Sequence, residues 1–258
     1  LETLQEFVKQ KNFFLPLSMA SQGSCLIGGN LATNAGGVNV LKYGNARDLC
    51  LGLEVVLADG TIFNDLKVLK KDNAGYDLKN LFIGSEGTLG ISTEITLKLF
   101  GIPEVIAGGK VTFPTVKEAA DTVIMTIQSG IPIARIELLD KNQVISCNNY
   151  SNLNLPEEPM LLVEFHGSET SVKEQSQLFG EIASDNNGND YVWTSNNEER
   201  NKLWKARHDA YWANMSFRPG TEMYATDICV PISKFSESIV ETIEDLERNN
   251  LIGPIAGH

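Results

Sequence analysis

The chain has 258 residues, 42% of them hydrophobic and 21% charged, a make-up with room for one large or two modest globular domains. Its net charge of −12 would repel a phosphate backbone and argues against nonspecific nucleic-acid binding. No apolar run reaches the ~20 residues needed to span a bilayer, and no signal-peptide pattern opens the sequence.

Glu2 to Lys11 has the pattern of a helix that begins at once. The sequence stops at "GPIAGH", directly after an apolar run, so a piece of a longer polypeptide is expected. Between Gly23 and Gly37 comes "GSCLIGGNLATNAGG", with five glycines among small and amide residues. A backbone this bare suits either close approach to a ligand such as a diphosphate or a run of tight turns, and these residues alone leave both readings open. "LGLEVVLADGTIF" reads as a hairpin, with Leu53, Val55 and Leu57 alternating into an Asp59-Gly60 turn. "LGISTEITLKLF" predicts a strand with Leu89, Ile91, Thr93, Ile95, Leu97 and Leu99 on one buried face.

After Phe100-Gly101-Ile102-Pro103 the texture changes to alternating strand and helix. A strand "KVTFP" leads into a helix capped by Thr115 and Glu118 and ending at Gly130. Strands "IARIELL" and "MLLVEFH" follow, then a helix started by Ser171 and Glu174 and running through Ile182. A strand "DYVWT", a helix near 197–214, a strand "MYATDICV", a helix from Ser233 to Arg248 and a closing strand "IGPIAG" complete an extended ferredoxin-like order.

Several motifs are excluded. "GSEGTLGI" has the glycines of a dinucleotide fingerprint but opens a strand rather than a helix, and neither a P-loop nor H-E-x-x-H occurs. Only three histidines are present, His166, His208 and His258, so a complete metal site within the chain is not expected. The cysteines, Cys25, Cys50, Cys147 and Cys229, form no C-x-x-C pair, which fits reduced thiols in a cytosol-like compartment.

"PLSMASQGSCLIGGNLATNAGG", "YGNARD", "LEVVLADG" and "GYDLKNLFIGSEGTLGI" resemble, in order and spacing, flavoenzymes of the vanillyl-alcohol-oxidase superfamily with PCMH-type FAD binding. "PIARIELLD", "EFHGS", "EERNKLWKARHDAYWA", "RPG", "ATDICVPIS" and "GPIAGH" narrow the resemblance to the FAD-linked D-2-hydroxyacid dehydrogenases, the D-lactate branch most closely. The resemblance implies an α+β chain: residues 1–100 as the second part of the FAD domain, 101–258 as a ferredoxin-like substrate or cap domain, both incomplete. It implies FAD contacts at Pro16, Ser24, Gly28, Gly29, Thr33, Asn34, Gly36, Tyr43, Gly44, Glu86, Gly87, Gly90 and Ile91.

Arg207 and Tyr211 are four residues apart, on one helical face, and the resemblance gives Arg207 the substrate carboxylate. Hydroxyglutarate enzymes carry a Lys where this chain has Ala225, two residues before Asp227, so a small monocarboxylate such as D-lactate or glycolate is expected. His258 matches the first His of an H-x-G-D-G-N-x-H segment that binds a divalent metal, zinc or manganese, with further ligands beyond residue 258. His166 and His208 are read as structural. The isolated chain is expected to retain FAD weakly and to turn nothing over, its missing segments lying in the same enzyme or a second chain. The implied electron acceptor is a quinone, cytochrome or flavoprotein, and the implied place is the cytoplasm or the matrix side of the inner mitochondrial membrane. A glycolate oxidase subunit and an inactive scaffold are the competing readings.

Overall fold

A computed structural model describes the backbone of residues 1–258 and the side chains of all but residue 206. The chain divides into two compact units, Leu1–Ile102 and Pro103–His258. Among the described residues no helix is long and apolar enough to cross a membrane.

The first unit runs α1 (Glu2–Lys9), β1 (Phe13–Phe14), α2 (Ile27–Ala32), α3 (Val40–Tyr43), α4 (Ala46–Leu49), β2 (Cys50–Val56), β3 (Ile62–Asp65), α5 (Lys79–Phe82), β4 (Ile91–Leu97) and β5 (Phe100–Gly101). β2 is the centre of an antiparallel sheet ordered β3-β2-β4. The β2–β3 hairpin closes at Gly60, whose φ of +83° a residue with a Cβ adopts rarely, and Asp59 accepts a hydrogen bond from the Thr61 amide. Leu53 and Val55 alternate into a core with Leu31, Ala46, Cys50 and Ile83, as the pattern predicts. β4 departs from its predicted buried row. Leu89 and Ile91 are exposed, because the core lies beneath Ile95 and Leu97 while the strand's first residues run past it. β5 pairs back on β1, which ties Phe100 and Gly101 into this unit.

The second unit runs β6 (Val105–Thr112), α6 (Val116–Gln128), β7 (Arg135–Leu139), α7 (Lys141–Ser151), β8 (Met160–Gly167), α8 (Glu169–Asp185), β9 (Asn189–Thr194), α9 (Asn197–His208), α10 (Ala210–Ser216), a 3-10 turn at Ile232–Lys234, α11 (Phe235–Arg248) and β10 (Ala256–Gly257). Its sheet is antiparallel throughout and ordered β10-β7-β8-β6-β9. The β6-α6-β7-β8-α8-β9 portion is ferredoxin-like, with β6 and β8 central, and β10 adds an outer strand beside β7. α6 starts at the predicted capping box, Thr115 accepting from the Glu118 amide while Glu118 accepts from the Thr115 amide.

Strand alternation divides this sheet into two unlike faces. Ala107, Val111, Ile136, Leu138, Leu161, Val163 and Phe165 turn one way, into an apolar core with α6, α8 and α11. The intervening residues of β7 and β8, among them Arg135, Glu137, Glu164 and His166, turn the other way.

Three predicted elements need correction. The cap of α8 is Ser168, which accepts from the Ser171 amide, so the helix starts earlier than Ser171 and Glu174 suggest and runs on to Asp185. "MYATDICV" forms no strand, because a strand needs a neighbouring edge and residues 223–229 are exposed without one among the described residues. "IGPIAG" shortens to the two residues of β10, since Pro254 lacks the amide that a ladder requires.

Candidate active site

The two glycine-rich loops of the first unit lie side by side. The Gly84 amide donates to the Leu31 carbonyl at 3.0 Å and the Glu86 amide to the Ala32 carbonyl at 2.9 Å. Arg47, from "YGNARD", clasps them: its guanidinium donates to the Asn80 and Ile83 carbonyls at 2.8 and 2.7 Å, and its amide donates to Asn34 Oδ1 at 3.0 Å. The asparagine before it caps α4 in a box with Asp48. This motif therefore holds the loops together through this chain's own atoms.

The missing Cβ atoms sort the glycines. A Cβ at Gly44 would lie 2.5 Å from Asp48 and one at Gly90 2.5 Å from Val55, while at Gly36 it would press on Asn45 and Val40. The protein's own packing and backbone require glycine at Gly44 and Gly90, and leave Gly36 little room. Around Gly28 and Gly29, by contrast, a Cβ would meet nothing within 4 Å; the space at Gly87 is equally open, although its φ of +78° already favours glycine. Bare main chain with open space in front of it is what an extended cofactor needs. Ser24, Thr33 and Ile91 are exposed near these positions in sequence, Ile91 at 70%. Glu86 takes a φ of +53°, an uncommon conformation for a residue with a side chain. Pro16 and Tyr43 are buried: the Pro16 carbonyl accepts from Asn39, and the Tyr43 ring packs edge-on against Phe14 and Phe100.

In the second unit Arg207 and His258 meet on one carboxylate. Glu137, 2% exposed on β7, accepts from Arg207 Nε at 2.7 Å and from His258 Nδ1 at 2.7 Å, both at Oε2. With its proton on Nδ1, His258 leaves Nε2 to accept from Arg207 Nη2 at 2.8 Å. Register explains the meeting: Ala256 pairs with Leu139 and Gly257 with Leu138, so the next residue, His258, falls beside Glu137. Asp140 holds the incoming segment, its Oδ1 accepting from the Ile255 amide at 2.9 Å while it caps α7 through the Gln143 amide. Burial pushes the Asp140 carboxyl above the usual carboxylate range.

Glu137 is too buried to leave its negative charge unpaired, and the guanidinium satisfies it. Arg207 keeps Nη1 without a hydrogen bond among the described residues, so its outer edge can still take an anion. Tyr211 does not share its helix. α9 ends at His208, and Tyr211 stands exposed on α10 with its ring against Trp212. Ala225 lies in an exposed stretch, His208 is exposed, and His166 is buried against Glu164 at 2.7 Å. Among the described residues no group of three or more His, Cys, Asp or Glu is placed to hold a metal ion.

Residues 102–258 match the family described as FAD linked oxidases, C-terminal domain, and residues 1–65 match the FAD binding domain family. The chain belongs to the FAD-linked oxidases. It is 46% identical over 260 residues to the probable mitochondrial D-lactate dehydrogenase of Danio rerio, covering 100% of this chain and 52% of that protein. It is 41% identical to the mitochondrial D-lactate dehydrogenase [cytochrome] of Arabidopsis thaliana, covering 99% of this chain and 45% of the relative. The mitochondrial D-2-hydroxyglutarate dehydrogenase of Rattus norvegicus is 43% identical over 65% of this chain and 32% of its own length. The chain thus spans about half the length, or less, of the curated relatives it matches. In fold, this FAD-linked oxidase resembles 4-ethylphenol oxidase from Gulosibacter chungangensis, with a TM-score of 0.70 at 15% identity over 96% of this chain and 55% of that one. It also resembles p-cresol methylhydroxylase, with a TM-score of 0.63 at 16% identity, covering 85% and 50% of the two chains. The PCMH-type fold expected from the glycine motifs is thereby shown.

The sequence singles out Arg207 and His258 but not Glu137, on which the structure brings them together. A signal was present, since one acid inside the apolar strand "IARIELL" alternates to the side opposite Ile136 and Leu138 and has to find a cation there.

Proposed function

We propose that the polypeptide carrying these residues is an FAD-dependent dehydrogenase that oxidises a small D-2-hydroxy acid, D-lactate foremost, to the 2-oxo acid. The observation that carries this reading is the Arg207 guanidinium pinned on buried Glu137 beside His258, in a chain of the FAD-linked oxidases. The first unit fits FAD: Gly28, Gly29 and Gly87, with Ser24, Thr33, Asn34 and Ile91, would hold it along open main chain. When bound, FAD supplies the acceptor for the hydride that leaves the hydroxyl-bearing carbon.

Arg207 would grip the substrate carboxylate on its Nη1–Nη2 edge, because Glu137 already holds Nε. A two-point grip stops the carboxylate from turning and so aims the adjoining C–H. His258, oriented by Glu137 through Nδ1, would accept the hydroxyl proton at Nε2 once the substrate displaces Arg207 Nη2 from that atom. Zinc or manganese held at that ring nitrogen would replace this role rather than add to it, supplying instead polarisation of the substrate hydroxyl, and the described residues do not complete its coordination. Ala225 offers no cation to a second carboxylate, which favours a monocarboxylate over D-2-hydroxyglutarate. A quinone, cytochrome or flavoprotein on the matrix side of the inner mitochondrial membrane would take the electrons, in keeping with relatives named mitochondrial and cytochrome-linked.

The test is dye reduction by the flavin-loaded polypeptide as its gene encodes it, with D-lactate, glycolate, L-lactate and D-2-hydroxyglutarate. D-lactate should give the highest kcat/KM, and Arg207→Met should remove most of it. A higher kcat/KM for D-2-hydroxyglutarate or glycolate would overturn the D-lactate assignment. Dye left oxidised by every 2-hydroxy acid would overturn the reaction class.

A further inference from the structure

We infer that Glu164 is a positioning residue for substrate binding: it seats helix α9 on the sheet and thereby places Arg207, which is nowhere in contact with it. The inference rests on the reading of Arg207 as the carboxylate binder.

Glu164 is 2% exposed in the middle of β8. Its Oε1 accepts from Arg135 Nε at 3.0 Å and lies 2.7 Å from His166 Nε2, and its Oε2 faces Arg200 Nε at 3.8 Å. Burial alone would raise its carboxyl, but the His166 hydrogen bond and the Arg135 and Arg200 charges outweigh that and hold it below the usual range. Both arginines lead to α9. Arg200 belongs to it and donates from Nη1 to the Ile106 carbonyl at 2.9 Å. Its stem lies over Gly108, where a Cβ would come within 2.9 Å of Arg200 Cγ, so the glycine keeps that seat vacant. The Arg135 guanidinium stacks 4.9 Å from the ring of Trp204, the buried anchor of the same helix.

Register makes these contacts one device. Gly108, Glu164 and Arg135 stand opposite one another across β6, β8 and β7. Arg200, Trp204 and Arg207 recur four and three residues apart, which puts them on one face of α9. The helix therefore crosses the strands with Arg200 at Glu164, Trp204 at Arg135 and Arg207 at Glu137, two residues along β7 on the same face. Without the Glu164 charge, the half-buried guanidinium groups of Arg135 and Arg200 would lose the anion between them and repel, and the helix would shift to carry one further into water. A guanidinium at the end of that lever would miss a carboxylate by an ångström or so, on the scale at which orientation effects are lost.

The test is a double-mutant cycle in the flavin-loaded polypeptide. Glu164→Gln keeps the shape and the His166 contact and removes the charge. Its KM for D-lactate should rise about tenfold, the scale of one lost charge-assisted hydrogen bond, with kcat and flavin absorbance little changed. Equilibrium binding of pyruvate should weaken by the same factor. In the Arg207→Met background the same change should add less than about twofold, because the group being positioned is gone. An equal loss in both backgrounds, or a fall in melting temperature with KM intact, would mean that Glu164 serves the fold alone and would overturn the inference. If Glu164→Gln does not fold, Arg200→Met keeps the stem over Gly108, leaves Glu164 paired with Arg135, and is read by the same outcomes. The Arg207 Nε–H resonance, followed by NMR in the same flavin-loaded polypeptide, separates the two readings. If it moves on Glu164→Gln while Arg207→Met leaves pyruvate binding intact, the positioning stands and the substrate reading fails. If it stays put, the positioning fails.

Discussion

The two faces of the five-stranded sheet are cut from the same strands and do opposite work. On one, Ile136, Leu138, Leu161, Val163 and Phe165 join α6, α8 and α11 in a dry core that would accept any well-packed set of apolar side chains. On the other, one residue over in each strand, Arg135, Glu137, Glu164 and His166 meet Arg200 and Arg207 from α9. The first face stabilises by area removed from water. The second gains little net stability from its ion pairs, since desolvation offsets most of their attraction, but it fixes where each charge must lie. The charged face also carries a buried apolar cluster of Leu139, Val144, Met160, Leu162 and Trp204, so strand alternation sets the charges apart from the first core, and substitutions in that first core should cost stability without touching the chemistry.

The largest effect should come from the apolar face. Phe165→Ala should cost about 3–5 kcal/mol in urea unfolding, with KM for D-lactate unchanged in the fraction that stays folded. A changed KM at full folding would break the separation. Next comes Arg207→Met, which should lower kcat/KM for D-lactate about a hundredfold, as loss of a two-point charged contact should. Its stability should fall as well, by about 3 kcal/mol in urea unfolding, because the methionine covers the stem contacts but leaves the Glu137 charge buried without its cation. Glu137→Gln should be milder, at about tenfold in kcat/KM, since the amide oxygen can still accept from Arg207 Nε while the charge that holds His258 is lost.

The smallest effect is one of pH. Glu164 has its carboxyl held below the unfolded value, so its stabilisation is fully present above that value and is lost as pH falls through the folded one. The stability gap between the unaltered chain and Glu164→Gln should be flat above about pH 5 and shrink below about pH 4, measured by urea unfolding across the range. A gap that widens in acid would give the opposite sign and remove the charge argument for this face.

What could be read from the sequence divides along the same line. The capping box at Thr115, the alternation of Leu53 and Val55, and the ferredoxin-like order of β6, α6, β7, β8, α8 and β9 come from local periodicity and are present in the structure, although the pattern does not predict α7, between β7 and β8. The charged face escapes local reading. Glu137 and Glu164 each look like a flaw in an apolar strand until β10 and α9, from far along the chain, bring their partners. "MYATDICV" fails for the converse reason: its residues alternate like a strand, but pairing is settled by what lies alongside, not by the residues themselves. Tyr211 shows the limit of spacing, because four residues define one face only while the helix continues, and here it breaks at Asp209.

The most direct measurement is a crystal structure of the flavin-loaded polypeptide with pyruvate bound. The expected result is the acid's carboxylate within about 3 Å of Arg207 Nη1 and Nη2, with Glu137 still on Nε. Pyruvate bound away from Arg207, with that guanidinium engaged only by Glu137 and His258, would contradict the assignment of this face to the substrate.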